Sequence, residues 1–74
     1  MQIRGIDGKK MQELRLNSGF TRKKLAEITG VHVSTITRLE NGNSEFILED
    51  TLLRFANALG IKPMEYLKAI RKES

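Results

Sequence analysis

The sequence predicts an all-α chain folded as one compact bundle of about five helices, and three observations carry that reading. Apolar residues recur at helical spacing, most fully in Leu52, Phe55, Ala56 and Leu59, which follow the i, i+3, i+4, i+7 pattern of a buried stripe. Residues that start or stop helices fall between the stripes: Asp7, Thr21 and Pro63 as starts, Gly19, Gly30, Gly42 and Gly60 as stops. The chain has 74 residues. A chain of that size buries roughly 60% of its unfolded surface, which allows one modest core and no enclosed active-site cavity. One domain is therefore expected over residues 1–74, with its core at about 9–72.

Met1 to Gly8 reads as an extended or frayed lead-in, because Gly5 and Gly8 disfavour helix while Asp7 can cap a helix beginning after it. A first helix is predicted over Lys9 to Ser18, with Met11 and Leu14 on one face and Gly19 just past its end. Phe20 comes next as an apolar anchor. Thr21 can accept from the open N–H groups of a second helix at about Arg22 to Thr29. Leu25, Ala26 and Ile28 share its inward face, while Lys23 and Glu27 point away. Gly30 sits where the chain must reverse, in a conformation that costs glycine little.

A third helix, about Val33 to Asn41, divides most sharply. Ile36 and Leu39 face one way with Thr35 beside them; Ser34, Thr37, Arg38 and Asn41 face the other, with Val33 at the edge. Asn43 to Ile47 reads as a loop. A fourth helix begins near Glu49, whose charge with that of Asp50 suits a helix N-terminus, and ends at Gly60. Pro63 opens a last helix with Leu67 and Ile70 inward and Tyr66 less firmly placed.

Two short helices joined by a glycine turn, with Leu25, Ile28, Val31, Ile36 and Leu39 converging and Ala26 small at the crossing, constitute a helix-turn-helix reading. The outward set on the second of them is small, polar or basic and suits a DNA groove. Arg38 has no acidic residue three or four positions away, and its planar fork matches the O6/N7 edge of guanine; a phosphate contact or a solvated arginine is the alternative. Val33 can meet a thymine methyl or lie partly buried against the second helix. Ser34 and Thr37 are small hydroxyl residues able to bond base or phosphate. His32 caps the third helix or touches a phosphate, and a lone histidine supports neither a metal site nor acid–base chemistry. Asn41, outward at the helix end, is a phosphate candidate.

Arg22, Lys23 and Lys24 crowd the first turn of the second helix, where the helix dipole disfavours cations by roughly 0.3–1 kcal/mol each. A phosphate at that N-terminus would reverse the sign. Lys23 and Lys24 can instead pair with Glu27, an option Arg22 lacks locally.

Charge distribution points the same way. Residues 1–40 hold Arg4, Lys9, Lys10, Arg15, Arg22, Lys23, Lys24 and Arg38 against Asp7, Glu13, Glu27 and Glu40, whereas residues 41–74 are balanced, so the net +4 lies in the half with the helix-turn-helix. A basic half beside a neutral one fits a polyanion partner, or a merely solubilising surface. The chain has no cysteine, which removes disulfides and thiolate chemistry, and one histidine, which removes a histidine metal cluster. No catalytic serine–histidine–aspartate arrangement and no phosphate-cradling glycine loop is present, so no enzyme, cofactor or metal is expected. Lacking a signal-like apolar run or about 18 consecutive apolar residues, the chain is expected in the cytoplasm, associated with the nucleoid, without a membrane partner.

From MQELR at 11–15, GFTRKKLAEITGV at 19–31, STITRLENG at 34–42 and LLRFANALGI at 52–61, the chain resembles the lambda repressor-like, Cro/C1-type (XRE family) helix-turn-helix domain. The resemblance implies a transcriptional regulator, most simply a repressor. It would bind as a homodimer to double-stranded DNA at a pseudo-palindromic operator with half-sites about one turn apart. It also implies base-reading positions at Val33, Ser34, Thr37 and Arg38, and phosphate contacts at Thr21 and Arg22. It implies an ion pair between Arg15 of the first helix and Glu40 ending the third; the helical wheel separately turns Glu40 toward the core. Two departures stand out: Arg22 replaces the family's usual glutamine, and the loop after Gly42 is about one residue longer and carries no cation. The competing reading is an antitoxin or other protein-interaction module on the same fold, with an interface at Phe46, Ile47 and Tyr66. The chain would then be a small regulator, or the DNA-binding part of something larger.

Overall fold

Residues 1–44 and 46–72 are described in the computed structural model. Five helices and a two-stranded ribbon come in the order β1 (Gln2–Arg4), α1 (Gly8–Asn17), α2 (Arg22–Thr29), α3 (Val33–Glu40), β2 (Phe46–Leu48), α4 (Glu49–Leu59) and α5 (Pro63–Ile70). The five-helix bundle matches the expected fold class, with a small sheet added to it.

Local chemistry sets the helix ends. The Asp7 carboxylate accepts from the N–H groups of Lys9 and Lys10 at 3.0 and 3.4 Å, so α1 starts at Gly8, one residue earlier than expected. The Thr21 hydroxyl accepts from Lys24 N–H at 3.0 Å and starts α2. Gly30 closes α2 at φ +76°, the left-handed conformation its place in the turn requires. Pro63 opens α5 where its missing N–H is no loss.

The lead-in before α1 is not frayed. β1 pairs antiparallel with β2 in the register Gln2↔Leu48, Ile3↔Ile47, Arg4↔Phe46. The stretch expected as a loop up to Ile47 thus becomes a strand from Phe46; Glu45 lies outside the described residues. The C-terminal end closes against the same strand exit: Ile6 bridges Arg71, and Lys72 N–H donates to Gly5 O at 2.7 Å.

The core consists of Ile6, Met11, Leu25, Ile36, Leu39, Ile47, Leu52, Phe55, Ala56, Tyr66 and Ile70. It therefore begins at Ile6, ahead of the expected boundary near residue 9. Ile28, expected to converge with the others, is 48% exposed. Thr29 takes the inward place in the last turn of α2, because its hydroxyl donates to Leu25 O and accepts from Val31 N–H, satisfying the backbone at the reversal. Tyr66 lies fully inside at 1% exposure, as does Ile47, so neither can lead the protein-binding surface that sequence suggested. Among the described residues, no helix is long and apolar enough to cross a membrane.

Candidate nucleic-acid interface

α3 is held by its back and its two ends. Ile36 and Leu39 bury its inward stripe in the core. At its start, the His32 ring nitrogen Nδ1 accepts from Ser34 N–H at 3.2 Å and lies 2.7 Å from Ser34 Oγ. His32 is therefore the cap of α3, and Ser34 is drawn toward it. The turn before α3 is braced from α4, where Arg54 Nη1 donates to Thr29 O at 3.0 Å and Nε to Asp50 at 2.8 Å.

At its end, Glu40 ties α3 to both preceding helices. Arg15 Nε and Nη2 donate to the two Glu40 oxygens at 2.8 and 3.0 Å, and Arg15 Nη1 donates to Phe20 O at 2.7 Å. This is a two-point arginine–carboxylate pair, with side chains 6% and 2% exposed. Arg22 joins it: its Nε donates to Glu40 Oε1 at 3.0 Å, and Nη2 lies 3.5 Å from Asn41 Oδ1. Sequence offered Arg22 no acidic neighbour; the fold supplies one from the next helix. Its side chain remains 30% exposed, so the α2 N-terminus still presents it beside exposed Lys23 and Lys24. Among the described residues, no ion pair joins either lysine to Glu27.

What α3 turns outward is a row of exposed His32, Val33, Ser34, Arg38 and Asn41 with half-buried Thr37 between them. Val33 is 40% exposed despite its side chain, which leaves its methyls on the surface. Among the described residues, no carboxylate pairs with Arg38. Thr21, at the α2 N-terminus, is exposed, and its hydroxyl oxygen caps the helix. The structure thus gathers the expected base-facing residues on one rod and the expected backbone-facing residues around its α2 side. Sequence gave no reason to single out Arg4, yet it lines the same cleft as Arg38, Asn43, Ser44 and Phe46. Its place depends on the β1–β2 pairing, for which three-residue strands give almost no sequence signal.

An outward rod carried by two crossed helices and a glycine turn defines a helix-turn-helix domain. The chain belongs to the helix-turn-helix family, in its Cro/C1-type branch, whose model matches residues 11–67. A candidate HTH-type transcriptional regulatory protein of Pyrococcus abyssi is 40% identical over 67 residues. That match covers 86% of this chain and 21% of that protein, so the chain spans about a fifth of its relative's length. Among solved structures, the restriction-modification controller protein C.AhdI of Aeromonas hydrophila is similar at TM-score 0.72 and 30% identity, over 80% of this chain and 88% of that one. The clp gene regulator ClgR of Corynebacterium glutamicum gives 0.74 and 27%, over 84% and 65%. The biofilm master regulator SinR, solved in complex with DNA, shares the fold at TM-score 0.76 and 22% identity, over 81% and 95%.

Proposed function

We propose that this chain is the sequence-specific double-stranded DNA-binding module of a transcriptional regulator, most simply a repressor, with α3 seated in the major groove. Two copies would bind a pseudo-palindromic operator about a twofold axis. The observation that carries the reading is the outward face of α3: an arginine without a carboxylate partner among the described residues, flanked by Ser34, Thr37 and an exposed Val33. A solvated helix gains nothing from leaving valine methyls in water, whereas a groove offers thymine methyls to them. Backbone contacts fall to Thr21, Arg22, Lys23, His32 and Asn41. The similarity to C.AhdI, a controller protein by name, and to ClgR, a gene regulator by name, supports the same class.

Sites selected from a random DNA pool provide the test. Arg38→Ala is expected to weaken binding to the selected site by about 1–3 kcal/mol and to relax preference at one base pair. Equal weakening on selected and mixed-sequence duplexes would make Arg38 a phosphate contact. Failure to enrich any sequence would sink the reading.

A further inference from the structure

We propose that His32 fixes the hydroxyl of Ser34 as a hydrogen-bond acceptor, so that Ser34 selects the amino group of an adenine or cytosine in the major groove. The inference rests on the DNA-binding reading above. A serine hydroxyl has one proton to donate and two lone pairs to accept with, so it ordinarily turns to suit whichever base edge it meets. Here the turn is constrained. The Ser34 N–H, which can only donate, reaches His32 Nδ1 at 3.2 Å. Nδ1 therefore carries a lone pair, and the proton of the neutral ring is on Nε2. Ser34 Oγ lies 2.7 Å from that same Nδ1. With no hydrogen on the nitrogen, the proton between the two atoms belongs to the hydroxyl, which donates to the ring. Nδ1 thus shares its lone pair between two donors, a three-centre arrangement common at helix ends. The opposite assignment, with Nδ1–H donating to Oγ, would set that hydrogen against the Ser34 N–H and lose the cap of α3.

Once that proton is committed to His32, exposed Ser34 offers only lone pairs to an incoming duplex. The major-groove edges of guanine and thymine present keto oxygens, whereas adenine and cytosine present amino groups. Only an amino group matches an acceptor. A keto oxygen would meet lone pair against lone pair, or would require the contact with His32 to break. The two side chains are two residues apart and bonded in the free chain, so the direction of the hydroxyl is set before DNA arrives. The same tautomer leaves Nε2–H as the ring's donor, the kind of group a phosphate oxygen accepts. His32 is thus a positioning residue for Ser34 as well as a candidate backbone contact.

A double-mutant cycle between the full chain and its DNA tests the assignment. Sites are selected from a random DNA pool with the wild type and with Ser34→Ala, and the base pair at which the variant loses preference is the target of Ser34. Duplexes lacking one group at that pair are then compared. Purine for adenine, or pyrimidin-2-one for cytosine, removes the amino group; 2-aminopurine for guanine, or 5-methylpyrimidin-2-one for thymine, removes the keto oxygen. Losing the amino group is expected to weaken wild-type binding by about 2- to 13-fold more than Ser34→Ala binding, the range of one hydrogen bond. Losing the keto oxygen is expected to weaken both equally. Coupling to the keto oxygen instead, or to neither group, overturns the proposal, as does a Ser34→Ala variant with unchanged preference at every position. His32→Ala is expected to abolish the amino coupling. His32→Asn, whose side-chain oxygen can cap and accept in the same place, is expected to restore it. Coupling retained in a folded His32→Ala chain overturns the role of His32. If His32→Ala does not fold, NMR of the ring nitrogens in the wild type decides: with the ring neutral, a proton on Nε2 supports the proposal and a proton on Nδ1 overturns it. A wild type that enriches no sequence fails the DNA reading itself, whereas enrichment without amino coupling fails only this inference.

Discussion

Glu40 accepts three hydrogen bonds from two arginines while being only 7% exposed, and it does so at the end of the helix that faces outward. Its carboxylate therefore fixes where α3 stops relative to α1 and α2. Removing it would strand the Arg15 guanidinium, 5% exposed, with the Phe20 carbonyl as its remaining bonded acceptor. Breaking a buried pair by deleting one partner costs about 3–5 kcal/mol, because the other charge stays behind without compensation. Glu40→Ala is expected to lose stability in that range, read from the midpoint of urea unfolding. A loss below about 1 kcal/mol would mean that Arg15 escapes to water and that the pair does not set the helix position. Arg22 has the lesser share of this network. It links the α2 N-terminus to the end of α3 through Glu40 while its side chain stays 30% exposed.

Between elements, α1 presses closely on the end of α3 at Gly8. Gly8, the first residue of α1, is buried against the carbonyl oxygens of Leu39 and Glu40, and a Cβ built there would overlap both. In an exposed helix, glycine to alanine gains roughly 0.5–1 kcal/mol. Here the obstacle is backbone, which cannot swing aside, so Gly8→Ala is expected to destabilise by about 1–3 kcal/mol, as overpacking does. Equal or higher thermal stability in the variant would show that α1 can slide away from α3. The same residue marks a limit of what local sequence can carry. By itself Gly8 speaks against helix, since nothing nearby in the chain says that a neighbouring helix will press on it. Helices with their own stripes and stop signals, such as α4 with Leu52, Phe55, Ala56 and the closing Gly60, were legible because each signal lies within a few residues. The β1–β2 ribbon was not, because Ile3 and Ile47 identify each other only once the chain has folded. The rod of α3 was legible for the same local reason as α4. The Arg22–Glu40 contact and the placing of Arg4 beside Arg38 were not, since both are made across elements.

At the scale of the whole molecule, Tyr66 carries α5 into the middle of the bundle. It is among the largest fully buried side chains, and its phenol is pushed up from the ordinary value of 10.0, first by burial and then by the charge of Glu40. The unfolded chain has neither influence, so its tyrosine ionises near pH 10 while the folded one stays protonated. Above that pH the unfolded state holds fewer protons than the native state, and stability falls by about 1.4 kcal/mol per pH unit from this group alone. Below pH 10 the contribution is fully present and flat, and it would be lost as pH rises toward the raised folded value. Tyr66→Phe keeps the ring and removes the titrating proton. Comparing unfolding free energies of the two chains from about pH 8 to 11 isolates the group from lysines common to both. The difference is expected to be constant up to about pH 10 and then to turn steadily against the wild type. Parallel profiles throughout would show that the phenolate of the native chain reaches water, in which case α5 is less firmly seated against α4 and α1 than its burial implies.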